Sequence, residues 1–245
     1  MKHFLLLNIG NTHTQYCYAD AAGEISGDIA VIDTAAWMQD LTRLPQQANA
    51  VAVWIACVVP QARKILEESG FYQNLHAVDA VSAAAAGLDF SLVDTSTLGA
   101  DRIANAAALL DGTLPAACFD CGTAVTLEIV DEKKRFAGGA IMPGRKLMRK
   151  SLAVGTAALP ELPFSEAVPE NPGCNTREAL ALGIDRGIVG MVREMLGIAK
   201  RSGAVRLLAV GGDAEFFSRA LPQLECGGNE FTLRGISIIA AKHAV

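Results

Sequence analysis

The sequence predicts an α/β fold made of two duplicated lobes, and three observations carry that expectation. Stretches with strand and helix character alternate along the chain, the pattern that builds layered α/β domains. A meander at the N-terminus then recurs past the midpoint. Leu5-Leu-Leu-Asn-Ile-Gly-Asn-Thr12 and Ala117-Cys-Phe-Asp-Cys-Gly-Thr-Ala124 share an apolar run, an acidic or amide residue, a spacer, a glycine and a small polar residue. Finally, 245 residues, 51% of them hydrophobic, suffice for two modest lobes with cores of their own. The expected division is 1–112 and 113–245.

In the first lobe, Phe4 to Asn8, Thr12 to Tyr18 and Ile25 to Ile32 read as strands, separated by turn residues that include Asp20-Ala-Ala-Gly-Glu24. Asp33-Thr34 can cap a helix over Ala35 to Leu44. The apolar run Val51 to Val59 reads as a buried strand, and Pro60 opens a helix over Gln61 to Gly70. Val81 to Leu98 shows no clear period, whereas Leu98 to Leu110 is helical and closes at Asp111-Gly112. The second lobe repeats the meander in Ala116 to Asp120, Val125 to Val130 and Phe136 to Met142, with a charged turn over Asp131 to Arg135. Helices over Arg145 to Leu152 and Thr176 to Ser202, a strand Val205 to Val210, a helix after Gly211-Gly212 and a last helix from Ile236 to Val245 complete it.

Composition excludes several function classes. With 21 Lys+Arg against 26 Asp+Glu the net charge is −5, and no basic run exists to track a nucleic-acid backbone. Val51 to Val59, the most apolar stretch, is far shorter than the roughly 20 residues of a membrane span. Phe4 to Leu7 falls short of an export core of about 7 to 15 residues, so a cytoplasmic location is expected. Six scattered cysteines then read as reduced thiols. Cys118-Phe-Asp-Cys121 spells C-x-x-C, but on a strand those positions face opposite ways. His3, His13, His76 and His243 lie too far apart in sequence for a zinc motif.

The chemistry is expected at the turns. Each meander's first strand ends in Asn8 or Asp120, a spacer and a glycine, with Thr12 or Thr123 close behind. Gly10 and Gly122 let backbone approach a ligand, N–H groups and threonine hydroxyls donate to anionic oxygens, and an acidic residue at the strand end can hold a cation. Either turn alone also fits a plain hairpin, but the duplication favours a pair of phosphate loops. The Walker and dinucleotide-binding glycine motifs do not occur. In Leu98-Gly-Ala-Asp-Arg102, Asp101 can take a hydroxyl proton and Arg102 can hold a carboxylate, although Asp at a helix start also serves the helix dipole. Gly211-Gly212 permits close approach of a flat ring or sugar, or simply turns a strand into a helix.

Taken in order, Asn8-Ile-Gly-Asn-Thr12, Val58-Val-Pro60, Gly99-Ala-Asp-Arg102 with Asn105, Asp120-Cys-Gly-Thr-Ala124 with Thr126, Gly138-Gly-Ala-Ile-Met-Pro-Gly144, Thr156-Ala-Ala-Leu-Pro160, Asn175-Thr176 and Gly211-Gly212 resemble the type III pantothenate kinases of the acetate kinase, sugar kinase, Hsp70 and actin superfamily. The resemblance implies two ribonuclease-H-like lobes of duplicated ββαβα type, with a nucleotide cleft between them. It implies transfer of the ATP γ-phosphate to pantothenate, giving 4′-phosphopantothenate in the first step of coenzyme A synthesis. It assigns Asp101 as catalytic base, and Gly99, Ala100, Asp101, Arg102 and Thr176 to pantothenate. Asn8, Ile9, Gly10, Asn11, Thr12, His13, Thr14, Gln15 and Thr123 go to ATP, and Asp120 to a monovalent cation, K⁺ or NH₄⁺, beside Mg²⁺. It also implies a homodimer.

Four positions depart from the family pattern. Asn8 stands where an aspartate organises Mg²⁺ with the phosphates, Glu128 replaces an aspartate, and Leu92 and Thr95 replace tyrosine and proline. Losing the anion at position 8 weakens metal positioning. Two alternatives follow: a catalytically silent nucleotide-binding or regulatory homologue, motivated by Asn8, and a kinase of another small hydroxy acid, motivated by Leu92 and Thr95.

Overall fold

The computed structural model describes residues 4–47 and 50–243, so His3 and the expected end of the last helix, Ala244-Val245, lie outside the described residues. The chain forms two compact units. One holds residues 1–113, 132–137 and 230–245; the other holds 114–131 and 138–229.

The first unit contains strands β1 (Phe4–Ile9), β2 (His13–Ala19), β3 (Ile25–Asp33), β4 (Ala52–Cys57) and β5 (Leu75–Ala77), ordered β3-β2-β1-β4-β5. β1 runs antiparallel to β2 and parallel to β4, and so sits at the centre of the sheet. That position explains its unbroken apolar run: Phe4, Leu5, Leu6, Leu7 and Ile9 are all buried, as a strand covered on both faces requires. Helix α1 (Thr34–Gln39) starts where the Asp33 carboxylate accepts from Ala36 N at 2.7 Å. It ends earlier than the expected Leu44. Asp40 adopts extended backbone and uses its own carboxylate to cap a separate 3₁₀ turn over Leu41–Arg43. Helix α2 (Pro60–Ser69) begins on its proline and stops at the left-handed Gly70. The stretch without a clear period hides α3 (Ala80–Ala85), a helix too short for periodicity to show; a reciprocal Asp79–Ser82 capping box holds it. α4 (Ala100–Leu109) follows.

The second unit repeats this topology. β6 (Ala116–Cys121), β7 (Ala124–Val130), β8 (Phe136–Pro143, its first two residues counted with the first unit), β9 (Arg206–Val210) and β10 (Glu225–Cys226) are ordered β10-β9-β6-β7-β8. Strand for strand this is the first sheet again, with β6 in the place of β1. Asn8 and Asp120 are therefore both the fifth residue of a six-residue central strand. Its helices are α5 (Arg145–Gly155), α6 (Thr176–Ala181), α7 (Gly187–Arg201) and α8 (Ala214–Ala220). The helix expected over Thr176 to Ser202 is interrupted by a π-helical turn at Leu182–Arg186. Its core gathers Phe119, Leu127, Ile188, Val192, Ala209 and Phe217.

The last helix, α9 (Phe231–Lys242), starts five residues before the expected Ile236 and packs in the first unit, whereas the sequence reading assigns residues 113–245 to one lobe. Gly235 makes this stretch look unlike a helix. Its role is packing: a Cβ there would stand 1.8 Å from the Ala104 carbonyl oxygen, so α9 lies directly on the backbone of α4. Thr232 Oγ1 donates to the buried Asn105 Oδ1 at 2.8 Å, and Arg234 bonds Asp111 at 2.8 Å. Gly235→Ala is expected to cost about 1–3 kcal/mol by overpacking. Urea unfolding of the variant measures this, and an unchanged midpoint would contradict the contact.

Candidate active site

In the first unit the β1–β2 turn is braced from below. Asn8 and Gln15 face each other across the hairpin, and Asn8 Nδ2 donates to Gln15 Oε1 at 3.3 Å. The Asn8 amide therefore turns a donor toward its neighbour and keeps its carbonyl oxygen as the group a cation can use. Gly10 N bonds His13 O at 3.0 Å, and Thr34 Oγ1 donates to Gly10 O at 2.8 Å. Asn11 and His13 are exposed, with Thr12 half-buried between them. Thr14 differs from the other residues of this segment. It is fully buried, with its hydroxyl 3.0 Å from Thr34 Oγ1 and accepting from Trp37 Nε1 at 2.8 Å. Its hydroxyl holds the turn in shape from the core side, and the buried Ile9 side chain likewise belongs to the core.

The same unit carries Asp101 in the first turn of α4, where the exposed helix N–H groups favour a carboxylate. Asp101 Oδ1 accepts from Arg102 N at 2.7 Å. Burial pushes its carboxyl pKa up, against the opposing pull of that hydrogen bond and of the Arg102 charge. Gly99 makes room for it: a Cβ there would lie 2.6 Å from Asp101 Oδ1. Arg102 sets its guanidinium 5.7 Å from the Phe136 ring centroid. Leu92 and Thr95 are exposed in the irregular segment that precedes α4, and Thr95 lines a shallow apolar groove with Val81, Leu88, Phe90 and Val93.

The second unit assembles a matching turn. Asp120 lies opposite Thr126 on β7 and beside Val210 on β9. Gly211 follows β9 at φ +83°, and a Cβ there would stand 2.5 Å from Asp120 Oδ1 and 3.1 Å from Cys121 O. Only glycine brings the β9–α8 turn this close to the carboxylate. Asp213 N donates to Cys121 O at 2.9 Å, and Gly144 N to Thr123 O at 3.0 Å. The exposed Thr123 thus sits at a turn held from two sides. A groove of about 360 Å³ in this unit is lined by Glu166, Gly211, Gly212, Asp213, Phe216 and Arg219 among others. Thr176 is the first residue of α6, capped by Asn175, whose carboxamide oxygen accepts from Glu178 N at 3.0 Å. It opens onto an apolar groove of about 480 Å³ lined by Met148, Leu152, Leu159, Leu180 and Ile184.

Glu128 is fully buried, and Cys118 Sγ lies 3.7 Å from its carboxylate. Burial and that carboxylate push the Cys118 thiol well up, and burial does the same for Cys121. Both thiols are thereby kept from the thiolate that redox or metal chemistry needs. All six cysteines are free.

The second unit also holds a buried charge cluster that no sequence pattern announces. Arg145 and Arg149 on α5 are buried, as is Asp185 on the π-helical turn. Asp185 accepts from Arg145 Nε at 2.9 Å and from Arg149 Nη2 at 2.7 Å, and Arg145 Nη1 reaches Asp213 at 3.2 Å. Two positive and two negative charges balance. The i, i+4 spacing of the arginines reads as an ordinary solvated helix face, so their burial leaves no local signal.

A family model of type III pantothenate kinases matches residues 4–197. The chain is 33% identical over 229 residues to the type III pantothenate kinase of Synechococcus elongatus, covering 90% of this chain and 88% of that protein. To the enzyme of Rhodopirellula baltica it is 38% identical over 138 residues, 54% of this chain and half of that relative's length. Among solved structures, a protein of Campylobacter jejuni described as a Baf family transcriptional activator covers 96% of each chain with a TM-score of 0.66 at 19% identity, a likeness of fold. No helix among the described residues is long and apolar enough to cross a membrane. With both turns, Asp101 and Thr176 in the matched span, the chain belongs to the type III pantothenate kinase family, whose activity is ATP-dependent phosphorylation of pantothenate in coenzyme A biosynthesis.

Proposed function

We propose that Asp101 accepts the proton of pantothenate's primary hydroxyl, that Arg102 holds its carboxylate and that Thr176, with Gly99 and Ala100, completes the substrate contacts. The observation that carries the reading is the Asp101 carboxylate itself. It is sheltered at a helix N-terminus, fixed by one backbone N–H, and given space by a neighbouring glycine. Burial makes it a stronger proton acceptor than an ordinary carboxylate. Phosphoryl transfer passes through a loose transition state, so positioning and charge neutralisation outweigh nucleophile activation. Asp101 therefore orients the hydroxyl and takes its proton late.

The Asn8–Gln15 segment and Thr123 hold ATP, with turn N–H groups and threonine hydroxyls directed to phosphate oxygens. Thr14 contributes by bracing the turn. Kinase chemistry implies a divalent metal, and its donor set here is spare. In kinase sites Mg²⁺ is held chiefly by phosphate oxygens and water, with few protein ligands. When bound, such a metal supplies charge neutralisation on the phosphates. Asn8 offers it a carbonyl oxygen without charge. The Asp120 carboxylate, at the end of the central strand β6 and against the Gly211 turn, is the anionic oxygen donor assigned to K⁺ or NH₄⁺. The reading further includes a homodimer and a cytoplasmic location.

Purified protein with ATP, Mg²⁺ and K⁺ is expected to form 4′-phosphopantothenate, and Asn8→Asp to raise kcat about tenfold, the scale of a change in metal positioning. Activity of the unmodified chain with no gain in Asn8→Asp would mean that the amide is sufficient. No product from either protein would overturn the assignment and favour a silent homologue or another hydroxy acid.

A further inference from the structure

We propose that Arg145 is a positioning residue for the nucleotide, acting through Asp213 to lock the Gly211-Gly212-Asp213 turn against the turn that carries Thr123. The inference rests on the reading that the Asp120–Thr123 turn binds ATP. Its basis is a closed ring of contacts within the second unit. Gly144 N donates to Thr123 O at 3.0 Å, and a Cβ at Gly144 would lie 2.2 Å from Gly122 O, so the start of α5 cannot slide against the turn. Arg145 is the next residue, and its Nη1 lies 3.2 Å from Asp213 Oδ1. Asp213 N returns to Cys121 O at 2.9 Å, and Gly211 touches Asp120.

The guanidinium in this ring has no freedom to swing. It is fully buried, its Nε donates to Asp185 at 2.9 Å, its Nη2 donates to the Ser165 carbonyl, and its Cζ lies 3.6 Å from the Phe216 ring centroid. A planar fork with every edge engaged holds direction in a way that a flexible ammonium does not. Asp213 stands between this anchor and the groove: it lines the groove beside Gly211 and Gly212, whereas Arg145 does not. Arg145 therefore reaches a bound nucleotide through the groove residues it holds, Asp213 with its glycine turn and the Phe216 ring, of which only Asp213 ties the groove to the Cys121 backbone.

The test is steady-state kinetics with Asp213→Asn, Arg145→Lys and the double variant, beside Thr123→Ala, with thermal unfolding of each. Asp213→Asn keeps the shape and loses the charge, and its fifth-exposed side chain makes it the variant that preserves folding. Expected is a rise of about tenfold in KM for ATP in either single variant, with KM for pantothenate and kcat at saturating ATP near wild type. The double variant should be no worse than the poorer single, as for two members of one link. A merely structural role would instead lower the melting temperature and the active fraction without splitting the two KM values. Unchanged KM for ATP in Asp213→Asn, an equal rise in KM for pantothenate, or additive effects in the double variant would each overturn the proposal. Thr123→Ala separates the underlying reading: unchanged KM for ATP there, with the split retained in Asp213→Asn, sinks the Thr123 assignment and leaves the Arg145 link standing.

Discussion

Asp101→Asn is expected to lower kcat for pantothenate phosphorylation by about 10²–10⁴-fold, the range for loss of a positioned general base. The substitution keeps the shape at the start of α4 and an oxygen that can still accept from Arg102 N, so binding of both substrates should survive. Its pH behaviour gives a second readout. Because burial raises the Asp101 pKa from its ordinary value, activity falls with decreasing pH as the base becomes protonated, at a higher pH than for an exposed aspartate. For stability the sign is opposite. A carboxyl whose folded pKa lies above its unfolded one disfavours folding when ionised, so its cost is present above the folded pKa and disappears as pH falls below the unfolded one. Asp101→Asn should thus melt no lower than wild type at neutral pH, with the two proteins converging in acid. A variant that keeps more than a tenth of wild-type kcat at saturating substrates would remove Asp101 from the role of base.

Asp185→Ala carries the largest expected loss of stability, about 3–5 kcal/mol, because it strands two buried guanidinium groups. Arg149 loses both of its bonds to the carboxylate, and Arg145 keeps only Asp213 as an anionic partner. Surface ion pairs such as Arg63–Glu67, half-exposed on α2, contribute at most about 1 kcal/mol, so the contrast is measurable in one denaturation series. A loss below about 1 kcal/mol in Asp185→Ala would show that water reaches the cluster in solution.

These two residues differ in how they could be found. Asp101 stands out as a candidate in the sequence because its chemistry, its neighbour Arg102 and its position at a helix start form one local pattern. The central strands were equally legible: Phe4–Ile9 and Ala116–Cys121 are buried on both faces, and burial on both faces leaves an apolar run. So was the duplication, since both copies kept the same strand-end residue types and the same glycine. Asp185 left no such trace. It is one acidic residue in a helical stretch, and only the π-helical turn and the fold of α5 against it make it a counter-ion. Thr14 shows the converse case. A motif places it with ATP, but an alternating strand turns every second side chain to the other face, and this one faces Trp37.

Local order, the repeat and the chemistry of the turns follow from patterns a few residues long, set by alternation, helical period and backbone freedom at glycine. The membership of α9 in the first unit, the buried Arg145–Arg149–Asp185–Asp213 cluster and the inward face of Thr14 were decided by tertiary contacts. Each joins segments distant in sequence. Burial of a charge or close approach to a glycine depends on what a remote segment brings to that position, and no local pattern encodes it.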